Sequence, residues 1–131
     1  MDKDPLSGLL LDAGEIDRTR LATALQGLLG IDKATGTIVL KPEFNRLPAR
    51  SKVLAFLLGR KVAKLLGKVE SEAVPPKSIA AETALPSGTV KPAVRTLLEA
   101  RLISQTDEGE YYVGSHQVTG AIERLREGNV E

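Results

Sequence analysis

The sequence predicts a mainly α-helical domain that carries one small β-hairpin. Apolar residues recur with helical spacing over 17–29, 48–66, 89–100 and again from Val118 to Leu125. A turn sequence, Asp107-Glu108-Gly109, separates two short runs that are typical of paired strands. The chain has 131 residues, of which 42% are hydrophobic, and no cysteine. It is long enough to bury a core without disulfides or a thiolate-bound metal.

The first 45 residues are predicted to form an α+β extension. Asp17 is a suitable N-cap for a helix over 17–29, and Gly30 is expected to end that helix. A turn at 32–36 then leads into an apolar run at 37–40, which Pro42 closes, so a short strand is expected there. These residues include too few apolar side chains to form a core of their own.

The longest helix is predicted over 48–66, with Pro48 at its start and Gly67 at its end. The polar residues of this stretch are nearly all basic: Arg50, Lys52, Arg60, Lys61, Lys64 and then Lys68. Residues 41–68 carry a net charge of +7. An anionic partner such as nucleic acid would explain this charge, and so would a solvated helix face or one that faces a second subunit.

Two short helices, 77–84 and 89–100, are predicted on either side of a turn at 85–88. Pro92 is expected to lie in the first turn of the second helix, with Ser87, Gly88 or Thr89 as its cap. The hairpin follows, with strands of about five residues each, and then a C-terminal amphipathic helix.

This order of elements resembles the winged helix-turn-helix DNA-binding domains of prokaryotic transcription regulators. The resemblance rests on residues 78–90, with an Ile79-Ala80 pair and Leu85 after the turn, and on 94–103, where the second helix runs into the hairpin, or wing. It implies an α+β extension at 1–45, a winged helix-turn-helix domain at 46–114 and a C-terminal helix at 115–131. Helices joined by so short a turn cross steeply, so Ala80 and Ala84 are expected to let the backbones approach.

Two features depart from the family's pattern. Ala84 and Arg101 stand where such domains often carry glycine, so either the turns are not left-handed there or some strain is accepted. Asp107, Glu108 and Glu110 place negative charge on the wing, and no lysine or arginine balances it. We therefore expect that this wing does not contact DNA.

The resemblance implies that helix 89–100 enters the major groove of duplex DNA. Lys91 and Arg95 would contact guanine or phosphate, and Ser87, Thr89 and Thr96 lie along the same helix. Three further cations near helix starts, Lys77, Arg50 and Lys52, are natural phosphate partners. The alternative for Lys91 and Arg95 is a solvated helix face in a winged helix that binds another protein, and the alternative for the three further cations is unpaired surface charge.

Several function classes are not expected. His116 is the only histidine and cysteine is absent, so the sequence predicts no metal site, and nothing in it indicates a cofactor. It contains no glycine-rich phosphate loop and no serine with a recognisable base, so an enzyme is not predicted. The four aromatic residues offer no platform for single-stranded bases. Without a signal peptide or an apolar run of membrane-spanning length, a cytoplasmic protein with no membrane partner is expected.

Three hypotheses follow. The first is a homodimeric transcription regulator that binds duplex DNA. Helix 17–29 and the helix around 118–125 are its candidate dimer surfaces, and the alternative for both is that their apolar faces complete the core. The second is a winged-helix protein-interaction module without sequence-specific DNA binding, in which the acidic wing and C-terminus, with net charge −4 over 102–131, dock on a basic partner. The third is non-specific duplex binding through 41–68, which would weaken when Lys61 and Lys64 are neutralised.

Overall fold

The described part of the chain is mainly helical and contains two small antiparallel sheets of two strands each. The computed structural model describes residues 4–10 and 15–127. Within them the elements are α1 (Arg18–Leu25), β1 (Leu29–Ile31), β2 (Ile38–Leu40), α2 (Ala49–Leu65), α3 (Pro76–Thr83), α4 (Ser87–Glu99), β3 (Ser104–Gln105), β4 (Tyr111–Tyr112) and α5 (Val118–Arg126). Single 3₁₀ turns occupy Pro5–Leu9, Pro42–Arg46 and Ser115–Gln117. None of the described helices combines the length and apolar character needed to cross a membrane.

Helix α2 lies at the centre of the fold. Its residues 53–58 are all fully buried, because α1, α3, α4, α5, β1 and β4 pack around it. Phe44, in the 3₁₀ turn before α2, is fully buried as well. The buried apolar residues of the extension, the helical pair α3–α4 and α5 form one continuous cluster. The extension therefore shares its core with the rest of the chain.

The N-terminal helix is shorter than predicted. Asp17 does cap it, accepting a hydrogen bond from the backbone N–H of Arg20 at 3.0 Å. The prediction that it runs to residue 29 is wrong: it ends at Leu25, and residues 29–31 pair with 38–40 as strands. The hairpin approaches α2 at Gly59, where a Cβ atom would lie 3.2 Å from the Leu29 side chain. Packing on α2 therefore favours a strand in an apolar run that could also have continued the helix.

The turns that follow α3 and α4 are both left-handed. Ala84 and Arg101 each have φ of +61°, a conformation that favours glycine. Of the two alternatives predicted for these positions, acceptance of some backbone strain is therefore the correct one. Ala84 is exposed and therefore does not serve as a small residue between packed backbones, as had been expected. The corner between the two helices is filled by Ile79, Val90 and Val94, which are buried.

The second hairpin is also shorter than predicted. Its strands have two residues each, with Ser104 opposite Tyr112. Leu102 and Ile103 do not extend the first strand, because they turn inward and are buried in the core. Tyr111 exchanges backbone hydrogen bonds with Val74, so the segment before α3 continues the sheet on the other side of β4.

Candidate nucleic-acid interface

Helices α3 and α4 are joined by the three residues Ala84, Leu85 and Pro86 and pack on each other and on α2. The left-handed Ala84 ends α3, where the buried Thr83 hydroxyl donates to the carbonyl of Ile79 at 2.6 Å. The extended Pro86 then starts α4. This geometry leaves one side of α4 exposed to solvent.

The start of α4 differs from the prediction. The helix begins at Ser87, so Pro92 lies in its second turn, and the expectation that Ser87, Gly88 or Thr89 caps the helix is wrong. Pro92 has no N–H to donate to the carbonyl of Gly88, four residues earlier. Pro86 is the N-cap and provides no side-chain hydrogen bond to the first turn.

The candidate residues on α4 divide between two flanks. Lys91 and Arg95 are exposed and four residues apart, so they lie on one face of the helix. Thr89 and Thr96 are half-buried and lie about 100–120° round the helix axis from Arg95, on the other flank. Ser87 is exposed at the first position. The structure therefore brings together Lys91 and Arg95 and separates them from the two threonines.

A groove of about 380 Å³ lies between α4 and the second hairpin, and Lys91 and Arg95 line it. Gln105 and Tyr111 line its opposite wall, where Gln105 Nε2 donates to Tyr111 Oη at 3.2 Å. The remaining lining residues are apolar: Pro76, Val94 and Leu98. The groove thus combines two cations and two hydrogen-bonding side chains with an apolar floor.

The three other predicted phosphate partners lie outside this groove. Lys77 is exposed in the first turn of α3, next to the groove residue Pro76. Arg50 and Lys52 are half-buried in the first turn of α2. Of the three, Lys77 is the one that directly follows a residue of the groove lined by Lys91 and Arg95.

The tip of the hairpin is acidic. Asp107 and Glu108 are exposed between β3 and β4, and Glu110 is half-buried next to β4. Anionic side chains at this tip repel phosphate. Any anionic ligand of the groove would therefore approach from the side of α3 and α4.

The C-terminal half of α2 binds the linker that leads to α3. Lys61 is only 5% exposed, and its Nζ lies 2.6 Å from a carboxylate oxygen of Glu72. Arg60 and Lys64 donate to the backbone carbonyls of Ser71 and Glu70, each at 2.6 Å. The hypothesis that Lys61 contacts phosphate is therefore wrong, because its ammonium group is buried in an ion pair.

Gln117, which was not predicted as a site residue, ties together the two ends of the second hairpin. Its Oε1 accepts from Ser104 Oγ at 2.8 Å and from the Gly114 N–H at 2.9 Å. Its Nε2 donates to the carbonyls of Arg101 and Ile103, at 3.1 and 3.0 Å. Arg101 and Ile103 lie between α4 and β3, Ser104 begins β3 and Gly114 follows β4. Nothing in the local sequence identifies these contacts.

Comparison of the chain with protein-family models, curated proteins and solved structures finds no match. The function is therefore argued from the geometry of α3, α4 and the hairpin.

Proposed function

We propose that this chain is a winged helix-turn-helix protein that binds duplex DNA as a transcription regulator, with α4 in the major groove. The position of Lys91 and Arg95 carries the proposal. Both side chains are exposed on one face of the second helix of a helix–turn–helix pair, next to a two-stranded hairpin. Cations in that position can reach phosphates and the acceptor edge of guanine.

The dimensions of α4 suit this role. Its 13 residues span about 20 Å, and a helix fits a major groove about 12 Å wide. Pro86 contributes no side-chain acceptor to the N-terminal turn of α4, so a phosphate oxygen can take that place. Ser87 is exposed at the same end.

The charge distribution defines how the DNA would lie. Lys77 at the start of α3 is exposed, as are Lys91 and Arg95 on α4, whereas Asp107 and Glu108 occupy the hairpin tip. In this proposal the phosphate backbone follows the two helices and keeps clear of the tip. The hairpin then forms the groove wall across from Lys91 and Arg95, its base is held together by Gln117, and its acidic tip does not bind DNA.

The test is fluorescence anisotropy of the full chain with a labelled random-sequence duplex pool over a salt series. A steep linear fall of log K with log salt is expected, because bound phosphates release counterions. Lys91→Ala with Arg95→Ala should reduce that slope. Lys33→Ala with Arg46→Ala, which removes the same charge from exposed positions before α2, is the matched control and should change the slope little.

A second candidate function is binding of another protein at the same face. It is favoured by the apolar floor of the groove, formed by Val94 and Leu98, and by Gly88 and Pro92, which are exposed near Arg95 and provide no hydrogen-bonding side chain. The same titration separates the two candidates. No binding of duplex even at low salt would exclude the DNA proposal and leave the protein-interaction module.

A further inference from the structure

The described residues include five large hydrophobic side chains that are more than half exposed. Three of them, Leu6, Leu9 and Leu10, are 68%, 77% and 79% exposed and belong to the N-terminal arm, defined here as residues 4–10. The other two are Val39 and Leu66, at 52% and 54%. Exposed leucines this close together are typical of a surface that another surface covers.

An apolar groove runs along the seam between α1 and α2 and continues to β1. It consists of two adjoining depressions of about 230 and 340 Å³, which share Ala22 and Val62. Arg18, Leu65 and Leu66 line one depression, and Leu29, Ile31 and Lys41 line the other. We call it the seam groove.

The seam groove is cationic, and the N-terminal segment that contains the arm is acidic. Arg18 and Lys41 line the groove, and none of its described lining residues is acidic. The first 16 residues of the chain contain four carboxylates, Asp2, Asp4, Asp12 and Glu15, against one lysine, Lys3. An acidic, leucine-rich segment thus complements an apolar groove with cationic ends.

We infer that the arm of one copy of this chain docks in the seam groove of a second copy, and that two such contacts form a homodimer. Within a single chain the arm leucines stay exposed, so the groove is not filled by its own arm. In a dimer with a two-fold axis each arm docks in the partner's groove, so both arms and both grooves are covered. This dimer does not involve α4, so it stands independently of DNA binding.

Because the chain has no cysteine, introduced cysteines report the contact directly. Leu9→Cys on the arm and Ala22→Cys in the groove are made in separate full-length chains, mixed in equal amounts and oxidised. We expect a disulfide-linked heterodimer on a non-reducing gel. Thr119→Cys, on an exposed position of α5, replaces Ala22→Cys as the control and should give far less product.

Sedimentation velocity of the unmodified chain over a concentration series supplies the second measurement. We expect a monomer–dimer equilibrium, and Leu9→Asp should raise the dimer dissociation constant more than about tenfold, because it places a charge in an apolar contact. Thr119→Asp should leave that constant unchanged. Since Leu9 is 77% exposed in the single chain, its replacement should not destabilise the fold.

Three results would overturn the inference. The first is a chain that stays monomeric at every concentration, and the second is a dimer that Leu9→Asp does not weaken. The third is a chain with both Leu9→Cys and Ala22→Cys that forms its disulfide within one monomer, which would show that the arm docks on its own groove. None of these results bears on the salt-dependent DNA binding, so the two proposals fail separately.

Discussion

Replacing Arg101 with glycine should stabilise the protein, because Arg101 ends α4 with a left-handed backbone. The N–H of Leu102 donates to the carbonyl of Leu97 at 3.0 Å, and the N–H of Arg101 donates to that of Leu98 at 2.9 Å. This pair of bonds defines a Schellman motif, in which the left-handed residue is most often glycine. Here that residue is an arginine with φ of +61°.

The expected gain is about 0.5–1 kcal/mol in the free energy of unfolding. A left-handed conformation costs an L-residue roughly 1–2 kcal/mol. Glycine has more conformational freedom in the unfolded chain, which reduces the gain from relieving that cost by about 0.4–1 kcal/mol. The Arg101 side chain is exposed, and its carbonyl, which accepts from Gln117 Nε2, stays in place in the variant. For a chain of this length the gain corresponds to a rise in Tm of about 2–4 °C.

Urea unfolding followed by circular dichroism measures this difference. Arg101→Ala is the control, because it removes the same side chain without relieving the backbone and should be close to neutral. Gly67→Ala tests the reverse change, since Gly67 ends α2 in the same motif with φ of +73° and open space around it. That variant should lose about 1 kcal/mol. If Arg101→Gly is no more stable than Arg101→Ala, the assignment of strain to the backbone is wrong.

Three further predictions follow from the site and its supports. Lys91→Ala with Arg95→Ala should reduce the salt slope of duplex binding by about 2, as two lost phosphate contacts require, and an unchanged slope would place the interface elsewhere. Lys61→Met should lower the free energy of unfolding by about 2–3 kcal/mol in urea, because Glu72 loses its partner, while DNA affinity stays the same. Gln117→Glu should cost about 2–3 kcal/mol in the same assay, because a carboxylate would face two carbonyl oxygens; full stability would mean that the side chain does not hold the hairpin.

The helices from α2 to α4 were predictable from local patterns. Helix α2 differs from its predicted bounds by one residue at each end, because proline and glycine mark its limits and the apolar spacing between them is unambiguous. Helix α3 was displaced by one residue. Helix α4 began two residues earlier than expected, since Pro86 acts as its cap without a side-chain hydrogen bond.

The candidate site was predictable in part. Spacing alone puts Lys91 and Arg95 on one helix face, and the structure adds the hairpin wall across from them. Helical geometry also places Thr89 and Thr96 on the other flank of α4, once these residues are predicted to be helical. The contacts of Gln117 were not predictable from the sequence, because three of its four partners, Arg101, Ile103 and Ser104, lie 13–16 residues away along the chain.

The sequence by itself determined where the main helices lie and how charge is spread along the chain, because proline, glycine and apolar spacing act over a few residues. Only the tertiary structure decided which of those charges are available. In the sequence, the net charge of +7 over residues 41–68 lies mostly on one helix. In the structure, Lys61 is buried against Glu72, and Arg60 and Lys64 donate hydrogen bonds to the linker before α3. In the same way, residues 29–31 form a strand because Gly59 of α2 leaves room for one. Burial and strand pairing depend on residues far apart in the chain, so they appear only when the elements are packed together.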